Sequence, residues 1–122
     1  MAISSVPAST NPISRLRRPG LSVQAQEREQ ETVLVLRGEF DLTGVEVFER
    51  AVASVSPRQT LVLDLNELTF LDSSGLGAFV SLHEQARSGG WSLLLAAPQP
   101  AVALVLRLSG LAQRLTIIES TG

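Results

Sequence analysis

The segment from Leu61 to Val80, LVLDLNELTFLDSSGLGAFV, constrains this chain more than any other. Leu61-Val62-Leu63-Asp64-Leu65 is apolar at nearly every position, so both faces of the strand it forms must be covered, as in a parallel sheet. A short stretch, Asn66–Leu71, leads from that strand into Asp72-Ser73-Ser74-Gly75, and an amphipathic helix is expected from about residue 73 to 87. A strand running through a polar tetrapeptide into a helix is the unit of an α/β fold. The chemistry of the tetrapeptide decides what such a fold does.

The flanking sequence repeats the alternation. Leu21–Ala25 alternates apolar and polar residues, as a half-exposed strand does, and Thr32–Leu36 reads as a more central one. The polar turn Gln26–Glu31 between them predicts a hairpin. Gly38-Glu39-Phe40-Asp41 is expected to end the second strand. Thr43 with Glu46 has capping-box spacing, and Val45, Phe48, Val52 and Val55 make one apolar helical stripe that Ser56-Pro57 should stop. Leu76, Phe79, Val80 and Ala86 are expected to face inward on the next helix, which Ser88-Gly89-Gly90 closes. Trp91–Ala96 is a further buried strand. A third helix begins at Pro100, carries Val102, Val105, Leu106 and Leu108, and stops near Gly110. Leu115–Ile118 is a last short strand. The predicted order is β-β-α-β-α-β-α-β, an α/β fold with helices on one or both faces of the sheet, and no internal repeat is evident.

Composition removes several functions. At 122 residues, 44% hydrophobic and 18% charged, the chain is expected to form one folded domain over residues 21–119. Residues 1–20, rich in Ser and Pro, read as a flexible arm. No apolar run nears the ~20 residues of a membrane span, and no secretory signal is evident, so a cytoplasmic protein is expected. There is no cysteine, and all ten basic residues are arginine. A disulfide scaffold, a P-loop lysine and a Schiff base are therefore excluded, and one histidine makes no metal site. Neither a cofactor nor a metal is expected. Arg15, Arg17 and Arg18 are basic, but the remainder has seven arginines against twelve acids. That balance argues against nucleic acid as a partner. His83 is expected to be a surface residue, Asp64 to be buried and hydrogen-bonded or to face a loop, and Trp91 to pack at a strand start.

Asp72-Ser73-Ser74-Gly75 has three meanings on chemical grounds: a helix cap, a phosphate-binding loop, or a site that is itself phosphorylated. Asp72 or Ser73 can accept from the unpaired N–H groups of the first turn. A cap accounts for one residue, not for a second serine or for glycines early in a helix, each costing about 0.5–1 kcal/mol relative to alanine. Gly77 is expected to let the helix approach the sheet, and Gly75 to keep the surface low beside Ser74. Gly75-Leu76-Gly77 lacks the third glycine of a dinucleotide loop, and Asp72 would repel a phosphate. A phosphorylated serine would gain about 0.3–1 kcal/mol from the helix dipole, so the fold should tolerate it. A partner packed over the same spot would meet ~−1.5 to −2 units of charge. A penalty of about 4 kcal/mol weakens binding on the order of 1,000-fold.

Over residues 21–118 the sequence resembles the STAS domain, and in particular the stand-alone anti-sigma-factor antagonists of bacteria. The resemblance rests on Gly38-Glu39-Phe40-Asp41, where the family commonly has Leu at the third place, on Leu71–Gly77, and on the order of elements. It implies a binding module and not an enzyme. It implies that Ser74 is the phosphoacceptor, and that Asp72, Ser73, Gly75 and Leu76, with the turn Gly38, Glu39, Phe40 and Asp41, form the partner surface. The implied partners are an anti-sigma factor that is itself a serine kinase, bound by the unphosphorylated form to free a sigma factor, and a PP2C-type phosphatase. A STAS subunit of a lipid- or anion-transport complex is the alternative that the resemblance leaves open. The family usually has a helix after the last strand; here four residues follow Ile118, so either that helix is absent and its sheet surface is covered otherwise, or the chain is truncated.

Overall fold

A computed structural model describes residues 20–55 and 59–120. Five strands form one sheet in the order β1-β2-β3-β4-β5: β1 Leu21–Glu27, β2 Glu31–Phe40, β3 Thr60–Leu71, β4 Ser92–Ala96 and β5 Thr116–Ile118. β1 pairs antiparallel with β2 as a hairpin, and every later pair is parallel. Three helices make the crossovers: α1 Val45–Ala53, α2 Ser73–Gly89 and α3 Pro100–Leu108. Each crossover steps to the next strand in one direction, and right-handed connections of that kind bring all three helices to one face. The predicted order of elements is the observed one.

Strand alternation divides the core in two. Leu34, Leu36, Leu61, Leu63, Leu65, Leu93 and Leu95 join the large cluster with Phe48, Phe79, Leu82, Val102 and Leu106 of the helices. Val33, Val35, Val62 and Ala96, the intervening residues, make a small second cluster on the opposite face. Both faces of β3 are therefore covered at its start, which is why the apolar run there is nearly unbroken.

Several boundaries differ from expectation. β2 ends at Phe40, within the expected Gly38–Asp41 segment, but β3 absorbs the whole stretch Asn66–Leu71. The pairing slips between Val35 and Arg37 and again between Gly38 and Glu39, with β3 holding an extra residue each time. These bulges break the apolar pattern, so the sequence reads as a loop where the backbone stays extended. The Thr69 hydroxyl donates to the Gly38 carbonyl at 3.0 Å, and Arg37 pairs with Glu67 at 2.9 Å across the same region. Glu67 holds the Arg37 guanidinium above its ordinary pKa, through the hydrogen bond first and charge second. Gly38 has φ +96°, and a Cβ there would lie 2.3 Å from the Gly20 carbonyl oxygen. Glycine is required by the backbone at that point.

Smaller corrections follow the same logic. β1 extends to Glu27, leaving a turn closed by Arg28 N–H donating to the Glu31 carbonyl at 2.8 Å. Thr43 is not a helix cap: a 3-10 turn, Leu42–Gly44, precedes α1 and is capped by Asp41. Leu108 is 76% exposed because its position at the end of α3 faces away from the sheet, whereas Val102 and Leu106 are buried. Leu82, outside the expected inward set, is buried on α2. His83 is half-buried rather than exposed. The Asp64 carboxylate accepts from Asn66 N–H at 3.0 Å, and Trp91 packs on the core. Gly90 adopts φ 74° and closes α2 as expected, and Pro100 occupies the first turn of α3. The expected arm and the Ser56-Pro57 helix stop lie outside the described residues, save Gly20.

Candidate functional site

β2 and β3 are parallel neighbours and end side by side, Phe40 opposite Leu71. Each then turns directly into a helix, so two helix starts lie adjacent at the carboxyl edge of the sheet. The Asp72 N–H donates to the Phe40 carbonyl at 3.2 Å and ties the two together. In open α/β sheets that edge is where ligands and partners are received.

At the second start, Asp72 is the N-cap, with extended φ −110° and ψ −170°. Its Oδ1 accepts from Ser74 N–H at 2.8 Å and Gly75 N–H at 3.3 Å. Two of the four unpaired donors of the helix are thereby satisfied. The cap uses backbone N–H groups only, so the Ser74 hydroxyl takes no part in it. Ser73 is exposed, while Asp72, Ser74 and Leu76 are half-buried.

The first start has the same plan. Asp41 caps with φ −116° and ψ −166° and accepts at Oδ1 from Thr43 N–H at 2.9 Å. Here the hydroxyl is included: Thr43 Oγ1 donates to the same oxygen at 2.6 Å. Asp41-Leu42-Thr43-Gly44 and Asp72-Ser73-Ser74-Gly75 are thus one local pattern used twice, Asp-x-hydroxyl-Gly. Leu42, between the two polar residues, is 73% exposed. Sequence reasoning misses both Leu42 and Thr43 as site residues; the repeated four-residue spacing is the signal that could have found them.

Beneath both starts lies one ring. Phe40 is fully buried and packs at a tilt against Phe48 of α1 and edge-on against Phe79 of α2, with centroids 5.2 and 5.6 Å away. A Cβ on Gly75 would lie 2.4 Å from Leu71 Cδ1 and 3.0 Å from Phe40 Cγ. A Cβ on Gly44 would lie 3.2 Å from Phe40 Cδ1. The expected roles of the two α2 glycines are exchanged: Gly75 is the close-packing residue, and Gly77 is exposed, with open space where a Cβ would point away from its own helix backbone. Phe40 and Gly75, expected on the partner surface, are instead buried beneath the two helix starts, which close over them. Gly38, Glu39, Asp41, Asp72 and Leu76 are half-buried at the margin of that surface, and Ser73 is exposed.

Chemically the arrangement offers acceptors, hydroxyls and two positive helix ends. Among the described residues no cluster of three or more His, Asp or Glu could hold a metal ion, and no helix is long and apolar enough to cross a membrane.

The family described as "Mlab, STAS domain" matches residues 23–119. The chain belongs to the STAS domain family. A STAS-domain containing protein of Pseudomonas aeruginosa is 33% identical over 86 residues, spanning 69% of this chain and 84% of that one. Among solved structures, an anti-sigma factor antagonist from Mycobacterium paratuberculosis superposes with a TM-score of 0.72 at 23% identity, over 83% of this chain and 87% of the other. The anti-sigma factor antagonist SpoIIAA in its unphosphorylated form gives 0.68 at 24% identity, over 79% and 87%. The phosphorylated form of the Bacillus SpoIIAA gives 0.61 at 23% identity, over 79% and 90%. These likenesses establish the fold: a STAS-type mixed sheet with alternating helices.

Proposed function

We propose that this STAS domain is an anti-sigma-factor antagonist, a binding module without catalysis that is controlled by phosphorylation of Ser74. In the unphosphorylated state it holds an anti-sigma factor that is also a serine kinase, and so frees a sigma factor. The kinase ends the complex by modifying Ser74, and a PP2C-type phosphatase restores it. The setting is the cytoplasm. Asp72 and Ser73 shape the helix start, Leu76 supplies apolar contact, and Gly38, Glu39 and Asp41 at the end of β2 complete the partner surface over the buried Phe40.

The observation that carries this reading is the position of Ser74. Its hydroxyl stands outside the cap at the second position of α2, next to Gly75, which packs on the buried Phe40 ring. A phosphoryl group there meets the positive end of a long helix, worth about 0.3–1 kcal/mol to the isolated domain. A partner closed over the same residue would bury ~−1.5 to −2 charges beside Asp72. The domain tolerates the phosphate and the complex does not.

Incubation with purified serine kinases and ATP, followed by mass-spectrometric mapping, tests the assignment. Ser74→Ala should bind the kinase and stay unmodified, whereas Ser73→Ala should still be modified. Ser74→Asp should keep its Tm and bind about 1,000-fold more weakly. Loss of the phosphate in Ser73→Ala instead would sink the choice of Ser74.

A further inference from the structure

An open groove of about 270 Å³ runs between α1 and α2. Its floor is Phe48, Val52, Ala78 and Leu82, and Ser81 and Gln85 form the α2 lip. Two of the four α2 residues that line it, Ala78 and Ser81, are small, which leaves the trough open between the helices. Among the described residues, Glu49 is the one ionisable group that lines it. On the outer side of α1, Glu46 is already paired with Arg50.

The groove continues from the serine site. Ser74, Ala78, Ser81 and Gln85 are spaced by four, three and four residues, so they form one stripe along α2. Ser74 stands one helical turn from Ala78, at the end of the groove nearest the two helix starts. Any protein that covers Ser74 on this side of α2 meets the groove next.

We infer that the groove is the second half of the docking surface of the same anti-sigma kinase. It receives the apolar face of a helix from that partner, with a cationic side chain opposite Glu49. Helix-in-groove docking needs an apolar trough and a few polar lips, and both are present. The inference rests on the reading of Ser74 as the switch.

Two positions test it without touching the switch. Ser81→Trp fills the trough, and Glu49→Arg reverses the charge at its lip. Both are measured by calorimetric titration against the purified anti-sigma kinase that binds the wild-type chain, with Tm and sedimentation as controls. Ser81→Trp should weaken binding by at least about 30-fold and Glu49→Arg by about 10-fold, with the fold intact. Should Ser81→Trp fail to fold, Glu49→Arg decides alone. Wild-type affinity in the groove variants, with Ser74→Asp still weak, would overturn the groove and leave the serine reading standing. Groove variants that dissociate a dimer while binding the kinase normally would overturn it too, and would assign the trough to a second copy of the chain. A wild-type chain that binds no such kinase would remove both.

Discussion

The two helix starts share a plan and differ in where the hydroxyl goes. At Asp41 the carboxylate takes both the N–H and the hydroxyl of Thr43, and the turn tightens into a 3-10 segment before α1 begins. At Asp72 it takes two successive N–H groups, Ser74 and Gly75, and α2 starts at once. The first arrangement uses its hydroxyl to hold a turn. The second leaves its hydroxyl outside the cap at the N-terminus of a 17-residue helix. Similar residues therefore yield one hydroxyl held by the cap and one left outside it, and the difference lies in which donors the aspartate engages. The residue between cap and hydroxyl is exposed at both starts, Leu42 at one and Ser73 at the other.

The comparison is broken most completely at the shared floor. Phe40→Ala removes the ring on which both starts rest, and deletions of a buried Phe cost about 3–5 kcal/mol. Chemical denaturation should register a loss of that size, with both turns loosened together in hydrogen exchange. Protection that vanished at only one start would show that the two are supported separately.

Next in size is the pair of packed glycines. Gly75→Ala drives a methyl to 2.4 Å from Leu71 Cδ1 and 3.0 Å from Phe40 Cγ, against a buried wall. Gly44→Ala meets Leu21 Cβ at 3.0 Å and Phe40 Cδ1 at 3.2 Å, a milder conflict. Overpacking of this kind costs about 1–3 kcal/mol, offset in part by the better helix propensity of alanine. Gly75→Ala should lose about 1–2 kcal/mol and Gly44→Ala less than about 1, by urea titration. The reverse ranking would mean that the first turn, not the second, is the tighter fit.

Much of the fold was legible because strand and helix periods are strong in this chain. Leu61–Leu65 announced a strand covered on both faces, and Val33 and Val62 on the far face confirm it. The illegible parts are those where backbone geometry overrides pattern. Asn66, Glu67 and Thr69 are polar and exposed, so they read as loop; only the bulges, invisible in sequence, keep them in β3. Asp72 as cap was readable from its place before an apolar helix. That Phe40 is floor and not surface was not, because an aromatic between two acids is equally compatible with either until the helices packed on it are placed. Gly75 and Gly77 illustrate the same limit: two glycines two residues apart point about 200° apart on a helix, and only the angle of α2 to the sheet decides which is inside.

That ambiguity supplies the smallest and sharpest test. Gly77 lies in the first turns of α2, exposed, with open space where a methyl would point away from its own helix backbone. Nothing in packing requires glycine there, and a glycine in a helix interior costs about 0.5–1 kcal/mol relative to alanine. Gly77→Ala should therefore stabilise the domain by about that amount, opposite in sign to Gly75→Ala two residues earlier. Thermal unfolding of the two single variants and their double would read both signs at once. Because the two positions point to different sides of α2, their effects should add to within about 0.5 kcal/mol. A destabilised Gly77→Ala would mean that α2 sits closer to a neighbour at this point than its exposure indicates, and would move Gly77 to the same packed role as Gly75.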